Sequence, residues 1–307
     1  MLEFVANASV TRRAPQLSQQ RLAPSAGATQ RKKMQPTFEG PTFAGVALRL
    51  EWVERAVALV TLTRPAQMNT LSHEMLAEFG QVLDMIDVPS TRALIVTGQD
   101  RAFCCGAHLR YFAGDNASIF EPFDSRDPYF ARIAVLFDRL EELAFPTIAA
   151  VNGFALGGGC ELALSCDFRI LAESARFGLP ETKIGAIAGA GGVQKLLRYV
   201  GRGQAIDWIL RAKHLDAKTA DRWGLCSEVV AGDQLLQTAV ALAVELRQLG
   251  PRAVAQSKRA IYLSEDADLR TARRFGIEAL SMLVGGKEWQ EGMGAFAEKR
   301  SPTFDSW

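Results

Sequence analysis

The sequence contains few of the residues that form metal centres or disulfide frameworks, with three histidines and five cysteines among 307 residues. The cysteines are odd in number and scattered, apart from the adjacent Cys104 and Cys105, which excludes a secreted disulfide scaffold and favours a reducing compartment. Together with His108 this pair could begin a metal site or a Cys-His hydrolase, but no second His/Cys cluster accompanies it. Because cysteines are most often small buried apolar residues, we predict no metal.

Long apolar runs and an excess of one charge are also missing. The best candidate for a membrane span is interrupted by Asn152 and Glu161, and no run reaches the roughly 18–20 residues that a bilayer requires. The 35 Lys and Arg residues against 34 Asp and Glu residues leave a formal charge of +1, which gives no electrostatic reason to expect nucleic acid or an anionic membrane as a partner. We therefore expect a soluble globular protein without nucleic-acid or membrane partners.

Residues 1–42 differ in composition from the rest of the chain. They contain four prolines and six basic residues but only two acids, and they cannot bury enough apolar surface to offset their ordering entropy. We expect a disordered N-terminal arm. Its Arg-rich composition also suits a transit peptide to the mitochondrial matrix. If the arm has no targeting function, or if translation starts at Met34, the protein would be cytoplasmic. We expect the cytoplasmic location.

From residue 43 onward, short runs of apolar residues alternate with segments whose apolar residues recur at helical spacing. This pattern indicates an α/β fold with mostly parallel strands. We predict buried strands at 56–62, 92–98, 147–153 and 167–172 and helices at 72–86 and 127–144. The last third reads as helices at 203–211, 217–223, 233–249, 252–264, 268–284 and 287–297. The predicted division is therefore a core at 43–228 and a C-terminal helical region at 229–307.

Three glycine-rich segments are candidates for a functional site. In "GGGCEL", Gly157, Gly158 and Gly159 would expose backbone N–H groups at a helix start, with Glu161 in the first turn. Alternatively, these glycines permit close helix packing and Glu161 only complements the helix dipole. The segment alone does not separate the two interpretations.

The other two segments carry a second turn and a second acid. In "FCCGAHL" (103–109), a tight turn at Gly106 would leave the Ala107 N–H group free, and in 178–196, Glu181 follows a proline and precedes a glycine-rich helix start. Glu181 could equally be an exposed loop acid, and the glycines an ordinary helix start. Neither segment, nor "GGGCEL", has the spacing of a P-loop or of a dinucleotide-binding turn.

Taken in order, these segments resemble the crotonase (enoyl-CoA hydratase/isomerase) superfamily. The matching motifs are "LTRPAQMNTLS" (62–72), "FCCGAHL", "VNGFALGGGCELALSCD" (151–167), "FGLPETKIGAIAGAGG" (177–192) and "EGMGAFAEKRSPTF" (291–304). The resemblance covers about residues 43–305. It implies a crotonase-like spiral of ββα units with a C-terminal helical trimerisation region, and hence a homotrimer or homohexamer.

The resemblance also assigns roles to residues. Ala107 and Gly158 would donate the two N–H groups of an oxyanion hole for a thioester oxygen, and Glu161 and Glu181 match both catalytic glutamates of the hydratases. By family analogy, Glu161 activates a water molecule and Glu181 is the main proton donor. The substrate would be an acyl-CoA thioester, with coenzyme A entering as part of the substrate and no separate cofactor. Its carrier would be bound by Ala66, Met68, His108, Leu109, Arg110 and Lys299.

Two residues depart from the family pattern. His108 stands where the family usually has aspartate, and Ala188 stands where proline commonly precedes the glycine run. His108 either fills the turn and hydrogen-bonds to backbone or has a catalytic role. The Phe- and Tyr-rich segment 111–130 falls where the family builds its acyl pocket, but its aromatic residues could be ordinary core.

The expected reaction is hydration of a trans-2-enoyl-CoA. The alternatives are an enoyl-CoA isomerase, a dehydratase or a hydratase-lyase of the same superfamily, and, in a different class, a non-catalytic homologue that acts as a binding or RNA-associated protein. Both glutamates, both small oxyanion residues and the lack of a basic patch favour the enzyme.

Overall fold

The computed structural model describes residues 40–86, 89–112 and 128–304. The predicted N-terminal arm lies outside the described residues except for residues 40–42. Most of the predicted acyl-pocket segment, residues 113–127, lies outside them as well.

The described chain contains strands and helices in alternation, as the α/β prediction requires. The strands are β1 (Phe43–Ala44), β2 (Leu48–Glu54), β3 (Val57–Leu62), β4 (Ala93–Gly98), β5 (Ala102–Cys104), β6 (Thr147–Val151), β7 (Phe154–Leu156), β8 (Phe168–Ala172), β9 (Arg176–Gly178), β10 (His214–Asp216) and β11 (Glu228–Val230). The helices are α1 (His73–Met85), α2 (Pro128–Glu142), α3 (Gly158–Leu164), α4 (Gly192–Leu210), α5 (Ala217–Arg222), α6 (Leu235–Arg247), α7 (Pro251–Asp266), α8 (Leu269–Leu283) and α9 (Lys287–Glu298).

The larger sheet has the strand order β1-β2-β3-β4-β6-β8-β11. Its first three strands pair antiparallel, and the strands from β3 to β11 are parallel. All five residues of β6 are buried, and so are five of the six residues of β4. Covered parallel strands of this kind are nearly continuous in apolar residues, which is why their sequence predicted them.

The smaller sheet has the order β10-β9-β7-β5, in which β5, β7 and β9 are parallel. Because parallel neighbours end at the same edge of a sheet, the turns that follow these three strands lie side by side. Each of the three glycine-rich segments contributes one of these turns. The small sheet therefore brings together segments that lie far apart in the sequence.

Helix α1 shows how the local sequence fixes an element. Ser72 is its N-cap, and the Ser72 Oγ accepts a hydrogen bond of 3.2 Å from the Met75 N–H. Met75, Phe79 and Leu83 recur every four residues and are buried in the main core. The helix predicted at 72–86 is confirmed.

The C-terminal part of the chain is helical, as predicted, but its first helix covers the larger sheet. Leu235, Ala239 and Ala243 of α6 form a second apolar cluster with residues of that sheet, among them Leu59 and Ile95. Strand β11 crosses the predicted division at residue 228, and this division stays a prediction. No helix among the described residues is long and apolar enough to cross a membrane.

Helix α4 begins earlier than the predicted helix at 203–211. It runs from Gly192 to Leu210 and is broken at Gly201, which has a φ of 73°. The positive φ at Gly201 is a conformation that glycine adopts readily, so two shorter helical segments meet there. The first segment begins at the glycine-rich helix start that the sequence indicated after Glu181, although no helix was predicted between that start and residue 203. Its first residues hold Glu161 in the site.

Candidate active site

The candidate site lies where the turns after β5, β7 and β9 meet. The Gly157 N–H donates to the Gly178 carbonyl over 2.8 Å, which joins the turn after β7 to the end of β9. The Leu71 N–H donates to the Gly106 carbonyl over 2.8 Å, which joins the segment before α1 to the turn after β5. These bonds bring the predicted residues Ala107, Gly158 and Glu181 to one edge of the small sheet.

Ala107 and Gly158 present their backbone nitrogens close to each other. A Cβ atom placed on Gly158 would lie 3.6 Å from the Ala107 nitrogen, and one placed on Gly106 would lie 2.6 Å from the Gly158 nitrogen. Gly106 also has a φ of 76°, so the close approach and the backbone conformation both require glycine there. The Gly158 N–H is the first of α3, where no intrahelical acceptor exists. This geometry suits two donors to a single oxygen atom.

Tyr129 of α2 fixes the turn that carries Ala107. Its hydroxyl donates to the Leu71 carbonyl over 2.5 Å and accepts a bond of 2.8 Å from the His108 N–H. The side chain is 1% exposed, so solvent does not compete for these bonds. One buried hydroxyl therefore joins the two backbone segments beside Ala107, at Leu71 and at His108. In the sequence, the only signal for this role was general, an aromatic residue in a Phe- and Tyr-rich segment.

Glu161 lies in the first turn of α3 and is 4% exposed. Its Oε1 accepts two backbone hydrogen bonds of 2.8 Å, from the Ala190 and Gly192 N–H groups at the start of α4. Burial raises the pKa of Glu161, while these two N–H groups and the charge of Lys195 act in the opposite direction. A buried carboxylate held by fixed donors suits a base whose orientation must not change.

Glu181 follows β9 in a short 3-10 helix, Glu181–Ile184. A Cβ atom placed on Gly157 would lie 2.9 Å from the Glu181 Oε1, so the carboxyl group faces the start of α3. The Oε2 atom is buried and has no hydrogen-bond partner among the described residues. Burial, together with the nearby charge of Glu161, raises the pKa of Glu181 to about 7. Such a carboxyl group can hold or release a proton near neutral pH.

The residues predicted to bind the carrier fall in two places. Met68, with a φ of 55°, accepts a backbone bond of 3.0 Å from Cys105, so the segment with Ala66 and Met68 lies beside the turn that leads to His108. Leu109 and Arg110 are exposed in a 3-10 helix, Leu109–Tyr111. Lys299 lies elsewhere, exposed at the C-terminal end of α9. Their roles in binding stay predictions.

His108 fills the turn, but its imidazole bonds to a side chain rather than to backbone. The Nδ1 atom lies 2.8 Å from the Thr70 Oγ1, and the ring contacts the Tyr111 ring at 4.7 Å between centroids. Burial lowers the pKa of His108, and the charges of Arg110 and Arg64 lower it further. The neutral ring therefore predominates at neutral pH, and no aspartate-like negative charge is present at this position.

The described residues contain no cluster of three or more His, Cys, Asp or Glu side chains that could hold a metal ion. Burial raises the pKa of Cys104 to about 12 and that of Cys105 to about 11. Both thiols are therefore protonated at neutral pH and are poor nucleophiles. This disfavours the Cys-His hydrolase that these residues could have formed.

Comparison with known proteins agrees with the motifs. The family model described as enoyl-CoA hydratase/isomerase matches residues 53–306. A short-chain-enoyl-CoA hydratase of Clostridium acetobutylicum is 39% identical over 249 residues, which cover 80% of this chain and 93% of that protein. A 2,3-dehydroadipyl-CoA hydratase of Escherichia coli is 36% identical over 253 residues, covering 82% of this chain and 96% of that protein.

A solved structure extends the similarity to the fold. The crystal structure of an enoyl-CoA hydratase from Bacillus anthracis has a TM-score of 0.79 and 36% sequence identity, and the match covers 85% of this chain and all of that chain. The resemblance to the crotonase superfamily is confirmed by this match and by the family model. The chain belongs to the enoyl-CoA hydratase/isomerase family.

Proposed function

We propose that this protein adds water across the C2=C3 bond of a trans-2-enoyl-CoA to form the 3-hydroxyacyl-CoA. One observation carries the proposal: two carboxyl groups with different surroundings, Glu161 and Glu181, lie beside the paired N–H groups of Ala107 and Gly158. Water chemistry needs one group that accepts a proton and one that donates a proton. The names of the two relatives, both CoA-thioester hydratases, support the same reaction.

In the proposed mechanism, the thioester oxygen accepts hydrogen bonds from the Ala107 and Gly158 N–H groups. Negative charge collects on this oxygen as water attacks C3, and fixed donors stabilise it without reorganisation; loss of one such donor costs on the order of 10²–10³ in rate. The carboxylate of Glu161 takes a proton from the attacking water, whose oxygen bonds to C3. Glu181 delivers its proton to C2. Before the next turnover Glu161 releases the proton it took from water and Glu181 takes one up, which restores both groups.

The substrate would be an acyl-CoA thioester whose carrier lies along the segment of Ala66 and Met68 and the 3-10 helix of Leu109 and Arg110. Coenzyme A enters as part of the substrate, and we propose no separate cofactor. The exposed Lys299 is the proposed phosphate contact. The exposed surface of the 3-10 helix and its cationic Arg110 suit a phosphate-bearing carrier.

The test is a panel of trans-2-enoyl-CoA thioesters of different chain lengths, followed by loss of the conjugated enoyl-thioester absorbance. We expect at least one member to be converted to a 3-hydroxyacyl-CoA, identified by mass. A protein that only moves double bonds along the chain would be an isomerase, which needs one acid rather than two. Binding of thioesters without turnover would indicate a non-catalytic homologue.

We further propose a homotrimer or homohexamer assembled through the C-terminal helices. Leu269 of α8 and Phe296 of α9 are each 81% exposed, and packing such side chains against another copy would remove their apolar surface from water. Light scattering at micromolar concentration should give a multiple of the 33.5 kDa chain mass, and a monomer would refute the assembly. The proposed location is the cytoplasm, or the mitochondrial matrix if residues 1–42 act as a transit peptide.

A further inference from the structure

Lys195 joins three helices around Glu161. Its Nζ donates to the Ser165 Oγ over 2.7 Å and forms an ion pair with Glu141 of α2. The Ser165 Oγ in turn donates to the Glu161 carbonyl over 2.9 Å. The Lys195 side chain is 17% exposed, so its charge lies largely within the protein.

The backbone around Lys195 binds the other end of the same glutamate. Lys195 lies in the first turn of α4, and its N–H donates to the Gly191 carbonyl over 2.9 Å. The flanking N–H groups of Ala190 and Gly192 hold the Glu161 Oε1. Helix α3 carries Glu161 and α4 binds its carboxylate, and the Lys195 side chain connects the two helices.

We propose that Lys195 is a positioning residue for Glu161: its side chain fixes the start of α4, which binds the Glu161 carboxylate, relative to Ser165 at the C-terminal end of α3. Its positive charge also favours the carboxylate form. The proposal rests on the proposed function, because it gives Glu161 the role of base. Lys195 itself contacts neither the water nor the thioester in this mechanism. It acts through the orientation and the charge state of Glu161.

The groups around Glu161 determine whether removal of Lys195 raises or lowers the pKa of Glu161. Cys160 precedes it on α3, Glu181 faces it from the 3-10 helix, and Lys195 faces it from α4. Burial disfavours the charged form of Glu161, and the Cys160 thiol is protonated because burial raises its pKa. Lys195 is then the cationic side chain whose charge opposes the effect of burial on the pKa of Glu161.

Two more charged groups lie behind this arrangement. Glu141 of α2 pairs with Lys195 and offsets part of its charge. Arg169 of β8 donates to the Ala163 and Cys166 carbonyls, which flank Ser165 at the C-terminal end of α3, so its guanidinium binds backbone there and does not take the place of Lys195. Removing Lys195 should therefore raise the pKa of Glu161, whereas removing the charge of Glu141 should not.

A purely structural ion pair makes a different prediction. If Lys195 only anchors α4 to α2, its loss lowers the free energy of unfolding but leaves the titration of Glu161 unchanged. The titration of the Glu161 carboxyl group therefore separates the two roles. It can be measured by carbon-13 NMR in the protein without substrate, with the Glu161→Gln variant assigning the signal.

The experiment compares Lys195→Met, Lys195→Arg and Glu141→Gln. We expect Lys195→Met to raise the pKa of Glu161 and to move the acidic limb of the kcat/KM profile to higher pH. A displacement of one pH unit lowers kcat/KM about tenfold on that limb. Lys195→Arg should recover most of the loss, and Glu141→Gln should not raise the pKa of Glu161. An unchanged Glu161 titration in folded Lys195→Met would overturn the proposal.

If Lys195→Met does not fold, the double variant Lys195→Met with Glu141→Leu removes both charges and keeps the apolar volume. The pKa of Glu161 should be raised in this variant too, and an unchanged value again contradicts the proposal. The NMR titration needs no turnover. A chain that fails to hydrate enoyl thioesters but shows the shift would refute the proposed reaction while retaining the role of Lys195.

Discussion

Glu161 and Glu181 have the same type of side chain, but their carboxyl groups lie in different surroundings. The Oε1 of Glu161 accepts two backbone hydrogen bonds, whereas the buried Oε2 of Glu181 accepts none from the described residues. Donors that bind an oxygen stabilise the ionised form, and burial without donors stabilises the protonated form. This difference supports the proposed roles, in which Glu161 is the base and Glu181 the acid.

Replacing either glutamate by glutamine should abolish proton transfer at nearly constant size. We expect Glu161→Gln and Glu181→Gln each to lower kcat for hydration by roughly 10²–10⁴, since each removes one general acid–base partner. The double variant should lose less than the product of the two factors, because both groups act on one addition. Steady-state kinetics with the best thioester of the panel measures all three. Near-full activity in both single variants would contradict the two-glutamate mechanism.

The pH dependence of hydration should report the proton on Glu181. Because burial raises the pKa of Glu181 to about 7, the protonated donor is lost as pH rises through that value. We expect kcat/KM for hydration to decline on the alkaline side with a midpoint near 7. In Glu181→Gln, the residual activity should no longer follow this limb. A parent profile that is flat from pH 6 to pH 9 would argue against Glu181 as the donor.

The same raised pKa makes a prediction about stability. Between the unfolded value near 4.5 and the folded value of about 7, the native state binds more protons than the unfolded state, so this group lowers stability as pH rises. Glu181→Gln should therefore have a higher free energy of unfolding than the parent at pH 8 and a similar value at pH 5. Denaturant titrations at the two pH values measure the difference.

Glu291 provides the control for this experiment. Arg300 lowers the pKa of Glu291 to about 2, so its ionised form is favoured in the folded state. Glu291→Gln should bring no gain at pH 8. A gain in Glu291→Gln equal to that in Glu181→Gln would show that the loss of any negative charge stabilises the chain.

The regular elements were predictable because their signals are local. The four predicted strands of the larger sheet are mostly apolar, and α1 repeats apolar residues at helical spacing. Strands β5, β7 and β9 were not predicted, since each has only three residues and is defined by its pairing with distant segments. These three short strands are the ones that assemble the candidate site.

The identities of the site residues came from motifs, but their surroundings could not. The N–H groups that hold Glu161 belong to Ala190 and Gly192, 29 and 31 positions further along the chain. Tyr129 reaches the Leu71 carbonyl across 58 positions, and Lys195 reaches Ser165 across 30. No local pattern encodes such contacts, because they depend on how distant helices pack. The sequence motifs therefore identify Glu161 and Glu181, whereas the fold determines the surroundings that shift their pKa values.

Tyr129→Phe should loosen the oxyanion turn without emptying the core. The change removes one hydroxyl and leaves the His108 N–H and the Leu71 carbonyl without their buried partner. We expect kcat to fall about tenfold or more through misplacement of the Ala107 N–H, with a smaller change in KM, because the donor matters most in the transition state. Tyr262→Phe, which removes the hydroxyl that donates to Asp167 from α7, is the matched control and should leave kcat nearly unchanged.

Gly192→Ala should displace Glu161 directly. A Cβ atom at Gly192 would lie 2.8 Å from the Glu161 Cγ, 2.9 Å from its Oε1 and 3.1 Å from the Ala188 Cβ, so the carboxylate must move away from the N–H groups that bind it. Because a general base loses efficiency when it is misplaced by about 1 Å, we expect kcat for hydration to fall by about 10²-fold.

Gly203→Ala on the same helix is the control for that change. Nothing lies within 4 Å of a Cβ atom placed at Gly203, and alanine favours a helix over glycine by about 1 kcal/mol. Gly203→Ala should therefore keep full activity and gain thermal stability, which steady-state kinetics and thermal unfolding measure together. Equal losses in the two variants would mean that replacing any glycine of α4 disturbs the helix, whereas a fully active Gly192→Ala would show that the hydrogen bonds to the Glu161 Oε1 are not needed for the reaction.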